Sequence, residues 1–481
     1  MTTLTAPAPA QGLDRRLVTL GVVVVLGAIM SIIDATAVNV ATRTLAADFG
    51  ASITSVQWVL TGYMLGLAAV IPVTGWATER FGARRVWITA LLLFLAGSAL
   101  AGLAWSMPSL IAFRVVQGIG GGMIIPVAQT ILAQAAGPSR MGRVMGFIGM
   151  PMLLGSVAGP IVGGLIISTA GWRWIFLANL PLGVIAVVAA LRLLPRSATR
   201  PASLDVRGLL LLCGGVTLFV YATTEAGRPG GLDDPRTWTI AGAAALLIAL
   251  YVLHARRGPA LIDIALFRNR GFAAAAVTNV VVAVALFGVL VLLPLYWQVV
   301  RGHGALATGL LLTPQALGAA VAMPLAGRLT DRLGAGVVVP TGIVLGLIGT
   351  AAYTQLSADT PAVLLAVALF VLGLGLGATI MPSMAAAYQA LPREVIPRAT
   401  SAINTLQRMG ASVGTTALAV ILQREITART PGLAALGPLP DATRTAVAPE
   451  LATAFGHAFW IALAIAVIAL LPALLLPRAK A

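Results

Sequence analysis

Long apolar stretches, such as Leu17 to Met30 and Phe459 to Leu476, constrain this chain more than any other feature. A segment inside the hydrocarbon of a bilayer must satisfy its own backbone hydrogen bonds, so only helices and closed barrels span it. A barrel strand would alternate apolar and polar residues over about 10 positions. These stretches do not alternate. With 59% hydrophobic and 10% charged residues, the chain reads as an all-α polytopic membrane protein.

Fourteen stretches reach the roughly 20 residues that a transmembrane helix requires. They lie near 17–40, 54–75, 86–105, 108–134, 143–168, 174–194, 207–224, 238–255, 272–298, 306–326, 337–357, 361–387, 400–424 and 455–476. The opening segment through Gly12 lacks a signal peptide's apolar core, so the first stretch is expected to stay in place as a helix. No soluble catalytic domain is expected between the spans.

The net charge of +16 could suggest nucleic acid, but the basic residues are scattered singly through short loops rather than gathered on one face. No nucleic-acid partner is expected. If the N-terminus is cytoplasmic, 21 of the 31 basic residues fall in loops on that side and 8 on the other, leaving Arg114 and Arg408 inside spans. The positive-inside rule then places both termini in the cytoplasm. Cys213 stands alone, so no internal disulfide can form. His254, His303 and His457 lack metal-ligand spacing and are expected to be solvated. Neither metal nor cofactor is expected. The phosphate-binding pattern G-x-x-x-x-G-K-[ST] is missing, and Lys480 is the single lysine, which excludes a P-loop ATPase.

Of the fifteen acidic residues, only Asp34 falls well inside an apolar stretch. A charged, unpaired carboxylate there costs roughly 2.5–3.5 kcal/mol on insertion scales, and such residues mark proton or ion paths by default. Arg114 lies about six residues from the start of the inward-running fourth span, and Asp34 about six from the outer end of the first. At 1.5 Å per residue both sit roughly 9 Å below the outer boundary.

The spans are organised by a repeat. Gly75-Trp-Ala-Thr-Glu79-Arg80-Phe-Gly82 follows the second span, and Gly327-Arg-Leu-Thr-Asp331-Arg332-Leu-Gly334 follows the tenth, 252 residues later. Matching chemistry in two halves marks transporters built from repeated bundles, with the transport site at their interface. Six spans precede the pair at 207–224 and 238–255, and six follow it. The expected division is therefore 1–200 as an N-terminal bundle, 201–260 as an inserted pair and 261–481 as a C-terminal bundle.

On these residues the chain resembles the major facilitator superfamily, and within it the fourteen-span drug:proton antiporters. The turn G-x-x-x-[DE]-R-x-G is that superfamily's loop signature. Arg114-Val-Val-Gln117-Gly118 resembles the antiporter R-x-x-Q-G motif, and Gly155-Ser-Val-Ala-Gly159-Pro160-Ile-Val-Gly163-Gly164 resembles G-x-x-x-G-P-x-x-G-G. Asp34-Ala-Thr36-Ala-Val38-Asn39-Val40 is similar to the first-helix motif of the fourteen-span branch, and Trp172 to Gly183 to another of its signatures. Glu79 departs from the usual Asp, and Gln407-Arg408 reverses the usual order of Arg and Gln. The resemblance implies two six-helix bundles plus two inserted helices. It also implies a conformational latch at Gly75, Glu79, Arg80, Gly82, Arg84, Asp331 and Arg332, with Glu79 meeting the thirteenth span near Thr400 and Ser401. Read physically, Gly155 and Gly159 lie on one helix face that admits a neighbouring backbone, and Pro160 permits a bend.

Asp34 and Arg114 are the expected proton-coupling residues. Asn39, Gln57, Tyr63, Gln117, Asn279, Tyr296, Gln298, Gln315, Asn404, Gln407 and Arg408 are candidates to line a substrate cavity. The expected activity is proton-coupled export of amphipathic, cationic drugs across a bacterial cytoplasmic membrane by a monomer, with protons and lipid as the other partners. A dedicated exporter of one natural product is the alternative within transport. A membrane-embedded enzyme would need a catalytic constellation, and no paired carboxylates or Ser/His/Asp set is visible.

Overall fold

The computed structural model describes residues 14–196, 199–228, 230–258, 260–357, 359–430 and 441–478. Residues 1–13 and 479–481, which hold the expected cytoplasmic termini and Lys480, lie outside the described residues. Among the described residues the regular structure is helical throughout. The N-terminal half holds α1 (Arg15–Ala37), α2 (Ile53–Val70), α3 (Ala83–Gly102), α4 (Met107–Ala136), α5 (Met141–Ala170) and α6 (Asn179–Leu193). A pair follows, α7 (Val206–Ala226) and α8 (Pro235–Ala255). The C-terminal half holds α9 (Arg270–Leu295), α10 (Ala305–Leu333), α11 (Ala335–Ala351), α12 (Ala362–Gln389), α13 (Ile396–Arg429) and α14 (Asp441–Ile468).

Local chemistry sets several of the starts. Asp14 accepts from Leu17 N at 2.7 Å, and Ser106 and Ser109 cap α4 reciprocally, satisfying amides that the first helical turn leaves unpaired. Pro72 ends α2, and after the tight turn Ile71–Val73 the helix resumes as Thr74–Phe81. Gly82 (φ +85°) and Gly334 (φ +84°) then reverse the chain in the two signature turns. That region favours glycine because it lacks Cβ, which gives the terminal glycine of each repeat its reason.

Among the described residues, twelve helical rods are long and apolar enough to cross a membrane. α5 adds a further apolar stretch at Ala158–Ala170. α13, at 34 residues, carries Arg398, Arg408, Arg424, Glu425 and Arg429 along with many hydroxyl and amide side chains. The first rod also runs farther than expected, continuing from α1 through Val38–Ala41 to Phe49.

Within the N-terminal half α4 packs between α2 and α3, and α1 packs on α5 and α6; in the C-terminal half α12 packs between α10 and α11, and α9 against α13. The halves meet where α5 touches α10 and α12, and where α4 and Thr74–Phe81 touch α13. α7 packs on both α2 and α13. Its Thr223 carbonyl accepts from Thr416 Oγ1 at 2.8 Å, so α7 touches both halves. Large apolar side chains such as Leu165, Leu246, Val321 and Leu471 remain exposed, as a lipid-facing surface requires.

Candidate functional site

A fully buried polar centre occupies the N-terminal half. Asp34 of α1 and Arg114 of α4 are 1% and 0% exposed, and Arg114 Nη1 lies 2.6 Å from Asp34 Oδ2. The other carboxylate oxygen, Oδ1, accepts from Gln117 Nε2 at 2.9 Å and from Asn179 Nδ2 at 2.8 Å. Both amides also reach Ser98 Oγ at 3.1 Å, and Ser98 donates to the Phe176 carbonyl at 2.8 Å. Arg114 Nη1 additionally donates to Gln117 Oε1 at 2.7 Å, and Nε to the Val59 carbonyl at 3.4 Å. Its guanidinium stacks 4.2 Å from the Tyr63 ring centroid, while Tyr63 OH pairs with Ser31 Oγ at 3.2 Å. Among the described residues Arg114 Nη2 has no hydrogen-bond partner.

Glycine makes this density possible. A Cβ on Gly97 of α3 would lie 2.5 Å from Gln117 N, and one on Gly118 would lie 2.3 Å from the Tyr63 carbonyl. The α5 motif works in the same way on α1. Added methyl groups would lie 1.7 Å from Thr36 Oγ1 at Gly159 and 2.9 Å from the Ala37 backbone at Gly163, while Gly155 faces Ile32 at 3.5 Å. Gly164 faces open space. The glycine face with Pro160 therefore seats the helix that carries Asp34, two residues before Thr36.

At the end of the bundle that carries the signature turns, two polar seals join the halves. Glu79 Oε2 receives Arg398 Nη2 at 2.9 Å and Nε at 3.0 Å. Beside it a Cβ on Gly75 would lie 3.0 Å from Arg398 Cα, and Ser401 Oγ donates to the Ile71 and Pro72 carbonyls at 2.8 and 2.9 Å. In the second turn Asp331 accepts from Gly142 N at 2.8 Å, Arg143 N at 3.2 Å and Arg143 Nε at 2.9 Å. Arg84 donates to the Leu191 carbonyl within its own half. Arg80 and Arg332 are exposed.

The cavity candidates separate into groups. Tyr63 and Gln117 belong to the Asp34 centre, and Arg408, partly buried, approaches Met64 Sδ at 3.6 Å. Asn404 Nδ2 donates at 2.8 Å to Gln129 Oε1, linking α13 to α4 across the halves. Asn279 turns back to the Ala275 carbonyl of its own helix at 2.8 Å. Tyr296 accepts from Arg301 Nε at 3.0 Å and faces the loop at Ser357, away from the Asp34 set. Gln315 is buried, Gln407 half-buried, and Asn39, Gln57 and Gln298 are exposed. Sequence reasoning missed Ser98, Asn179, Gln129, Arg143 and Arg398 as partners. Asn179 stood inside the quoted stretch Trp172 to Gly183, whereas the two arginines read as orientation charges.

The Major Facilitator Superfamily model matches residues 24–415. The multidrug resistance protein B homolog of Mycobacterium tuberculosis is 41% identical, the match covering 98% of this chain and 92% of that protein. The multidrug export protein EmrB of Haemophilus influenzae is 30% identical over 85% of this chain and 80% of its own. Among solved structures, the proton:xylose symporter XylE superposes with TM-score 0.63 at 15% identity, covering 96% of both chains, a likeness of fold. Family match, relatives and helical architecture agree: the chain belongs to the major facilitator superfamily and is a multi-pass membrane transporter rather than an enzyme.

Proposed function

We propose that this transporter is a proton-coupled antiporter that exports amphipathic organic compounds across the bacterial cytoplasmic membrane by alternating access. The observation that carries the reading is the Asp34–Arg114 pair, which is fully buried and shared by three helices. Breaking a buried pair by neutralising one partner costs about 3–5 kcal/mol. A proton on Asp34 therefore removes the anchor that holds Arg114, Gln117 and Asn179 together, and proton release restores it. Because α5 seats α1 through Gly155, Gly159 and Gly163, movement at Asp34 is passed to the helix that meets α10 across the halves.

The names of the bacterial relatives, a multidrug resistance protein and a multidrug export protein, support drugs as cargo. In this reading α1 to α14 make fourteen crossings, with both termini and both seals in the cytoplasm and a monomer as the working unit. The bundles 1–200 and 261–481 rock about the central site, with 201–260 lying against both. Glu79 and Asp331 latch the cytoplasmic side, so the closed seals describe the outward-facing part of the cycle.

The test is substrate-induced proton release from purified protein in weakly buffered solution. The probes are N-phenyl-1-naphthylamine (neutral), rhodamine 6G (cationic) and 8-anilinonaphthalene-1-sulfonate (anionic). Wild type should release protons with at least one probe, and Asp34→Asn should bind that probe without release. Undiminished release from the variant would sink the assignment.

A further inference from the structure

Among the described residues the core of the bundle holds one carboxylate, Asp34, and two guanidiniums, Arg114 and Arg408. Asp34 is occupied by Arg114, Gln117 and Asn179, which leaves Arg408 as a net positive charge. Arg408 lies on α13 ten residues beyond Arg398 of the seal, about 15 Å along the helix, so it reaches the middle of a hydrocarbon layer roughly 30 Å thick. No described carboxylate pairs with it; its Nη1 meets Met64 Sδ at 3.6 Å, and a thioether is a weak acceptor. Met64 belongs to α2, so the two residues face each other across the halves. Part of the Arg408 side chain remains accessible.

A guanidinium at this depth without a counter-charge costs roughly 2.5–3.5 kcal/mol on insertion scales. The cost is recovered when an anion arrives, and a planar guanidinium grips carboxylate or sulfonate oxygens with two parallel bonds. Met64 beside it is a partly buried apolar side chain. Thioethers adapt to varied apolar shapes.

We infer that Arg408 is the recognition group for an anionic substituent on the cargo, a carboxylate, sulfonate or ionised phenol, and that the preferred substrates are amphiphilic anions in place of the cations expected from Asp34 alone. The inference rests on the export reading for its context. The pairing itself is read at equilibrium without a proton gradient, so the two fail separately.

The experiment is binding to the full-length protein in lipid nanodiscs, with empty discs subtracted. It compares 8-anilinonaphthalene-1-sulfonate with N-phenyl-1-naphthylamine, which shares the aromatic frame without the sulfonate. Wild type should favour the anion, and Arg408→Gln should lower anion affinity by at least about tenfold, the worth of one charged hydrogen bond, while the neutral probe keeps its affinity. Arg408→Lys should retain part of the preference. Met64→Glu supplies a carboxylate beside the guanidinium and should also abolish it, which keeps the test decisive if Arg408→Gln does not fold. An unchanged anion-to-neutral ratio in these variants, or a wild type that binds rhodamine 6G in preference to both probes, overturns the inference. A purely structural Arg408 would lower both affinities together.

Discussion

The two signature turns repeat a sequence pattern but close the bundle by different chemistry. Glu79 of the N-terminal half reaches one side chain of the C-terminal half, the Arg398 guanidinium. Asp331 of the C-terminal half reaches two backbone amides and a guanidinium of the N-terminal half, at Gly142 and Arg143. Those amides open α5, where unpaired N–H groups and the helix dipole favour an anion. The shorter carboxylate thus sits against a helix end, and the longer one spans to a side chain. The approach distances agree: a Cβ on Gly142 would lie 2.5 Å from the Gly327 carbonyl, whereas one on Gly75 would lie 3.0 Å from Arg398 Cα. Like residues at repeat-related positions therefore need not contribute equally.

The largest expected difference follows from counting donors. Asp331→Ala removes the acceptor of two backbone amides and of the Arg143 Nε, each charged contact being worth about 1.5–3 kcal/mol. Glu79→Ala frees one guanidinium, whose side chain is already 27% exposed. Spin labels at the exposed positions Arg85 and Leu333, in a Cys213→Ser background, report opening by pulsed resonance. Asp331→Ala should raise the open population at least about tenfold more than Glu79→Ala. Equal populations would break the comparison.

Much of this was legible in the sequence, for identifiable reasons. Apolar length gave the helices, and the repeated turn pointed to its terminal glycines, Gly82 and Gly334, both at positive φ. Asp34 and Arg114 were readable because a charge in an apolar stretch needs a partner, and their separation of 2.6 Å agrees with their matched depth. The rest depended on tertiary contacts. Ser98 and Asn179 are single polar residues in apolar helices, and nothing local distinguishes them from side chains bonded to their own backbone, as Asn279 is. Arg143 and Arg398 follow the positive-inside rule, which conceals their role as seal partners. Asn39, Gln57 and Gln298, polar within or beside spans, are exposed, because polarity alone does not fix which face of a helix a residue occupies.

Charge reversal gives a smaller but sharper contrast. Exchanging both partners of a side-chain pair, Glu79→Arg with Arg398→Glu, preserves attraction, so the double variant should recover most of the closure that either single variant loses. The corresponding exchange, Asp331→Arg with Arg143→Glu, cannot recover it. The Gly142 and Arg143 amides still point at position 331, and donors facing a cation repel it. Double-mutant coupling measured with the same labels should be favourable for the first pair and near zero or unfavourable for the second.

The smallest effect expected is that of salt. The Glu79 pair is 12% and 27% exposed at its two side chains, and the Asp331 pair 4% and 14%. Between 0.1 and 1 M salt the screening length falls from about 10 to 3 Å, and exposed pairs weaken more than sheltered ones. Added salt should therefore open Asp331→Ala, which of the two turn pairs keeps the more exposed one at Glu79, more than it opens Glu79→Ala, by a few tenths of a kcal/mol on the scale of exposed ion pairs. Arg80→Ala and Arg332→Ala provide the baseline, since both residues are exposed and surface substitutions shift stability by about 0.5 kcal/mol or less. If either arginine variant opens the bundle as far as Glu79→Ala does, the seals depend on the summed charge of each turn rather than on the contacts of its carboxylate, and the distinction between the turns fails.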